Sequence, residues 1–232
     1  MKNTITLVSG GRSMTADTYT PHGASHGLVV IAYGSDGMTN NLSGPWRTMI
    51  EGYAVSLVAK GFSVLIPDYL STSGTPPGPA VFDAIGRSRE TWLRGLSDAT
   101  DQFIALSKAD PKRVGLLGFS LGGHLVLRLR RKARVLVEFF APVLDGLGSP
   151  GALAHAQIHH GEADKTPGTG IENASLIKAT LNRENTPTEL YAYPGASHGF
   201  IGADQANKTA RELSKARTLS FFGDHLPENR RV

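Results

Sequence analysis

Three short runs of the sequence carry side chains that could do chemistry together. Gly118-Phe119-Ser120-Leu121-Gly122-Gly123 is a G-x-S-x-G arrangement. Glycines two residues either side of the serine lack a Cβ, which allows a strained strand-to-helix turn that lifts the hydroxyl clear of the backbone around it. A serine hydroxyl is nearly inert at neutral pH unless a base takes its proton, so the motif calls for a histidine and a carboxylate to hold that histidine. Both occur downstream. His198 lies in Tyr193-Pro194-Gly195-Ala196-Ser197-His198-Gly199-Phe200, and Asp164 lies in His160-Gly161-Glu162-Ala163-Asp164-Lys165-Thr166-Pro167. Glu162 and Asp145 compete with Asp164 for the role of acid.

Each run has a plainer reading: a serine that caps a helix, a polar histidine in a surface loop, a turn aspartate. What favours catalysis is their occurrence together, each after a strand, in the order Ser120, Asp164, His198. A nucleophile at a helix N-terminus would also place the backbone amide of Leu121 toward a developing oxyanion. The second oxyanion donor is expected from the glycine-rich loop Tyr33-Gly34-Ser35-Asp36-Gly37, with Ser35 preferred and Gly34 next.

The elements that must hold these groups are legible from hydrophobic periodicity. Residues 4–8 and 13–20, either side of Gly10-Gly11, read as a hairpin, and Leu28 to Tyr33 as a buried strand. Trp46, Met49, Ile50, Tyr53, Leu57 and Val58 recur at helical spacing before a stop at Gly61, and Phe62 to Ile66 is the next strand. Residues 71–80 hold three prolines and two glycines, which predicts a long loop. A helix through Trp92, Leu93, Leu96, Ala99, Phe103 and Leu106 follows, then a strand at 113–117, a helix at 121–131 and a strand at 134–140. Residues 156–159 and 189–193 read as strands, and 171–181 and 206–222 as helices. The alternation predicts one α/β domain over residues 1–232. Its sheet is mainly parallel with helices on both faces, after an N-terminal antiparallel hairpin, and chemistry lies at the carboxyl ends of the strands.

Composition narrows the function classes. The 232 residues include no cysteine, which excludes disulfides, thiolate metal sites and a cysteine nucleophile. The net charge is +4 and Arg128, Arg130, Arg131, Lys132 and Arg134 cluster, but cations where a helix ends complement its dipole, so no nucleic-acid partner is expected. His155, His159 and His160 lie in a predicted strand rather than on a helix face, which argues against a zinc pair. No cofactor and no metal are expected. No apolar run approaches the roughly 20 residues that span a bilayer, so the expectation is a cytoplasmic protein without a membrane partner, acting as a monomer or homodimer.

These motifs resemble the dienelactone hydrolase family within the α/β-hydrolases. The resemblance rests on the strand ending in Tyr33-Gly34, the segment Gly61 to Tyr69, the turn GFSLGG, and the runs VEFFAPV, HHGEADKTP, YPGASHGF and RTLSFFGDHL. It implies the α/β-hydrolase fold, with Ser120 as nucleophile, Asp164 as acid and His198 as base. It departs at the nucleophile, which is cysteine in the namesake enzymes. The namesakes also hold an acidic substrate with arginines; Arg47, Arg87 and Arg89 are the candidates here, and the substrate carboxylate site stays unassigned. The expected activity is hydrolysis of small carboxylic esters or lactones through an acyl-serine intermediate. The alternatives are a catalytically silent hydrolase-fold protein that binds a small molecule, and a peptidase. Only 144–155 separate two strands where other hydrolases of this fold insert a cap, so no cap domain is expected, and short acyl groups should fit best. Loops 35–45 and 70–82 should then roof the pocket, with Tyr69, Trp46 and Phe82 as walls.

Overall fold

A computed structural model describes residues 1–226. Eight strands form one sheet in the order β1-β2-β4-β3-β5-β6-β7-β8. β1 (Lys2–Ser9) and β2 (Arg12–Tyr19) pair antiparallel around the Gly10-Gly11 turn, where both glycines have positive φ. β2 pairs antiparallel with β4 (Ser63–Pro67), and every later pairing is parallel.

The central strands are β3 (Leu28–Ala32), β5 (Val114–Phe119) and β6 (Val135–Phe139), and every residue in them is buried. This explains their continuous rather than alternating apolar sequence: helices cover both faces of a parallel sheet. α1 (Trp46–Ala59) and α5 (Gln205–His225) pack together on one face. α2 (Ala80–Ser107), α3 (Leu121–Arg128) and α4 (Ile171–Arg183) follow right-handed crossovers onto the other. β7 (His155–Gly161) and β8 (Thr188–Tyr193) complete the sheet.

Strand order reverses between β3 and β5, because the chain proceeds outward from β3 to β4 in one direction and from β5 to β8 in the other. The loops that leave the carboxyl ends of these two strands therefore diverge and leave a crevice between them. Residues 34–45 follow β3, and Ser120 follows β5. Residues 140–154, between β6 and β7, contain no helix, so the expected absence of a cap insertion holds.

One expectation needs adjustment. The expected loop at 71–80 is shorter, because Tyr69–Ser73 form a 3-10 turn and α2 begins at Ala80, directly after Pro79. In the basic cluster, read as complementing a helix end, three members pair with acids. Arg130 is fully buried, with Nε and Nη2 both bonded to the Glu184 carboxylate, while Lys132 pairs with Asp101 and Arg128 with Glu90.

Candidate active site

The turn after β5 is built by its glycines. Ser120 takes φ 52° and ψ −119°, a conformation that L-residues adopt only under constraint. Ser120 N–H donates to the Phe139 carbonyl at 2.9 Å, which ties the turn to β6. A Cβ on Gly122 would collide with the carbonyl oxygens of Ala32 and Tyr33, and one on Gly118 with the Gly122 carbonyl. The helix can thus start against the end of β3 only with glycine at both positions.

His198 sits in a short 3-10 turn after β8 (His198–Phe200) whose Gly199 has φ 72°. Its Nε2 is 3.1 Å from Ser120 Oγ, and its Nδ1 is 2.7 Å from Asp164 Oδ2. Asp164 is buried in the turn after β7. The structure therefore brings Ser120, His198 and Asp164 into one hydrogen-bonded row from three loops. Asp145 is elsewhere: its exposed carboxylate pairs with Arg89 at 2.6 Å and Arg128 at 3.6 Å. Glu162 is exposed, next to β8 through its backbone N–H to Tyr193 O.

The surroundings of Asp164 favour its ionised form. Burial alone would raise its pKa, but the His198 hydrogen bond and charge and the Thr166 N–H at 2.9 Å outweigh this and hold the carboxyl below its ordinary range. Thr169 is a partner that sequence reasoning missed. Its buried hydroxyl lies 3.1 Å and 3.2 Å from the two Asp164 oxygens. His160 lies behind the carboxylate, with Nε2 2.7 Å from Thr169 O and 3.6 Å from Asp164 Oδ2. Burial lowers the His160 pKa, which leaves it a neutral spacer. The signal available in the sequence was the polar return of the same loop, KTPGTG, five residues beyond the acid.

An aromatic wall backs the histidine. Phe140 and Phe200 are both at positive φ: the Phe140 ring is 4.7 Å from the His198 ring, and Phe200 meets Phe140 edge-on at 5.5 Å. Strained backbone at Ser120, Phe140 and Phe200 thus gathers around one point.

Ser120 and His198 open into a cavity of about 660 Å³, and Gly34, Ser35 and Leu121 all line it. Gly34 lies directly against Ser120, since a Cβ there would come within 3.3 Å of Ser120 Cβ. The roof comes from residues 35–46, 79–85, 142–144 and 166–169. Trp46 and Phe82 are in the lining, as expected. Tyr69 is not, and the expectation that it forms a pocket wall is corrected. Its ring is fully buried, stacked on Tyr33 at 4.5 Å, and its hydroxyl donates to Tyr33 O at 2.7 Å. It pins the end of β3 from below instead of facing the cavity.

The sequence profile of the dienelactone hydrolase family matches residues 14–226. The chain belongs to this family of hydrolases. A carboxymethylenebutenolidase of Rhodococcus opacus is 25% identical over 190 residues, covering 75% of this chain and 74% of that one. Among solved structures, a dienelactone hydrolase-like promiscuous phosphotriesterase from metagenomic libraries superposes with a TM-score of 0.74 at 16% identity, over 97% of this chain and 98% of that one. Pyrococcus horikoshii acylaminoacyl peptidase superposes at 0.74 with 11% identity, and the match spans all of this chain but 42% of the peptidase. The α/β-hydrolase fold common to these structures is the one that the motif order implied. Among the described residues no helix is long and apolar enough to cross a membrane, and no group of acidic or histidine side chains could hold a metal ion.

Proposed function

We propose that this member of the dienelactone hydrolase family is a serine esterase or lactonase acting through an acyl-serine intermediate. The observation that carries the reading is the placement of His198 with one ring nitrogen at Ser120 Oγ and the other at a buried carboxylate. Asp164 accepts a hydrogen bond from Nδ1–H and so leaves Nε2 free to accept a proton. Ser120 Oγ attacks the ester carbonyl carbon while its proton passes to His198 Nε2. The carbonyl oxygen becomes an oxyanion facing the backbone amides of Leu121 and of Ser35 or Gly34. The C–O bond to the leaving alcohol then breaks as His198 returns the proton to that oxygen. Water, deprotonated by the same nitrogen, attacks the acyl carbon, and the acyl–Oγ bond breaks as His198 returns that proton to Ser120 Oγ, releasing the acid.

The peptidase alternative draws support only from fold likeness to an enzyme more than twice as long, and the silent-binding alternative has no missing triad member in its favour. The short 144–155 connection favours short acyl groups, and Phe82, Ile85 and Leu144 supply the apolar walls that such groups would meet. The test is turnover of a graded series of para-nitrophenyl esters and small lactones by the purified protein. The expected result is hydrolysis well above the buffer rate, falling to that rate in Ser120→Ala. No turnover of any ester or lactone by the unmutated protein would overturn the proposal.

A further inference from the structure

The cavity above Ser120 has a charge pattern opposite to the one that an acidic substrate needs. Among its lining residues there is no lysine or arginine, and Asp36 is the one carboxylate. Leu42, Trp46, Phe82, Ile85, Leu144 and Ile201 supply most of the remaining wall. A shortage of cations does not explain this, since the chain carries 24 lysines and arginines against 20 acids.

The nearby arginines are engaged elsewhere. Arg47 donates from Nε to Met38 O at 2.9 Å and lines a separate polar cavity beside Tyr33 and Asp68. Arg87 donates to Asp83 O at 2.9 Å on its own helix. Arg89 and Arg128 meet Asp145 and Glu90 just past Leu144. Asp36 is fixed in place: its Oδ2 accepts the Ser43 N–H at 2.9 Å and the Ser43 hydroxyl, and Ser43 Oγ in turn accepts the Trp46 indole N–H at 2.9 Å. The carboxylate is part of the loop that forms the roof, so it cannot swing away when a substrate enters.

We propose that the site takes uncharged esters or lactones with an apolar acyl portion and excludes substrates bearing a carboxylate, with Asp36 setting this charge selection. The inference rests on the serine-hydrolase reading above. A substrate carboxylate would lose its hydration against apolar walls, find no cation, and meet a fixed like charge. Each of these disfavours binding and transition state alike.

The test compares three para-nitrophenyl esters of matched length: the hexanoate, the methyl glutarate and the hydrogen glutarate, with buffer rates subtracted. The methyl glutarate separates polarity from charge. The expected kcat/KM for the two neutral esters agree within about tenfold, while the hydrogen glutarate falls at least about 100-fold below the methyl glutarate, as for a charged group left unpaired in a site. Asp36→Asn, which retains an oxygen for Ser43, is expected to narrow that gap at least fivefold. Phe82→Arg, at a 62% exposed position on the cavity rim, is expected to narrow it without altering Asp36 or its bonds to Ser43. Equal or better turnover of the hydrogen glutarate would overturn the proposal, as would a gap that neither variant changes. If no ester is turned over while a fluorophosphonate still labels Ser120, the substrate class is wrong and the hydrolase reading stands. If labelling also fails, both fall.

Discussion

The hydroxyl of Thr169 straddles the Asp164 carboxylate, 3.1 Å from Oδ1 and 3.2 Å from Oδ2, and lies 3.3 Å from His198 Nδ1. With the Thr166 N–H at 2.9 Å it fixes the plane of the acid, and Asp164 Oδ2 can then meet Nδ1 at 2.7 Å. Thr169→Val keeps the shape and removes the hydroxyl. The expected outcome is a kcat lowered about tenfold, equivalent to about 1.4 kcal/mol of barrier, with KM little changed. Thr169→Ser should recover most of the loss. Steady-state kinetics on one good ester checks both.

Asp164 and Asp145 differ in what they touch, and their amide variants should differ accordingly. Asp164→Asn replaces the acceptor of the His198 Nδ1 proton and favours the wrong tautomer, so kcat should fall by about three to four orders of magnitude. Asp145→Asn alters an exposed carboxylate that pairs with Arg89 and Arg128 and touches neither His198 nor Ser120, and kcat should remain within about twofold. Reversed outcomes would move the acid to the end of β6.

Glu138 makes stability depend on pH in an unusual direction. It is fully buried on β6, with Oε2 accepting the Ala141 N–H at 3.0 Å and Oε1 without a hydrogen-bond partner among the described residues. Burial, only partly opposed by that N–H, pushes its pKa from 4.5 up to about 8. The folded protein keeps a proton that the unfolded chain releases above its own pKa. From pH 4.5 to about 8 this group therefore makes stability fall as pH rises, and above about 8 its contribution levels off. The slope approaches at most about 1.4 kcal/mol per pH unit. Glu138→Gln copies the protonated acid and should remove this slope, so the variant gains stability relative to the parent as pH rises. Denaturant melts of both proteins across the window measure it.

Gly122 is where α3 meets the end of β3. Gly122→Ala forces a methyl against the Ala32 and Tyr33 carbonyl oxygens, backbone atoms that cannot rotate aside. An overpacking cost of about 3 kcal/mol is expected, or roughly 6–12 °C in Tm for a domain of this size. Because the same shift moves Ser120 relative to His198, activity should fall further than the melt alone accounts for. Gly86→Ala is the control, since a Cβ there meets nothing within 4 Å in the middle of α2.

The hydrogen-bonded row of Ser120, His198 and Asp164 was legible in the sequence because each member carries a local signature: glycines around Ser120, glycines around His198, and Asp164 directly after a short strand. The sheet was legible because burial on both faces leaves continuous apolar runs in β3, β5 and β6. What was not legible depends on contacts between distant segments. Tyr69 follows a strand much as a pocket residue would, and only the return of its hydroxyl to Tyr33 O makes it a core prop. Arg130 sits in a basic run, and nothing nearby announces its burial against Glu184, 54 positions away. The charge of the cavity was hidden for the same reason. It is the sum of four loops, and it shows itself only once Arg47, Arg87 and Arg89 are seen to be bonded elsewhere.

The central claim is that Ser120 is a nucleophile whose proton is taken by His198, and its most direct test is covalent capture. The purified protein is incubated with a small fluorophosphonate, and the adduct is measured by intact mass and located by peptide mapping. The account predicts one adduct per chain, on Ser120, absent in Ser120→Ala and formed at least about 100-fold more slowly in His198→Ala, the scale on which a positioned general base acts. An unlabelled parent protein, or an adduct that persists in Ser120→Ala, would contradict it.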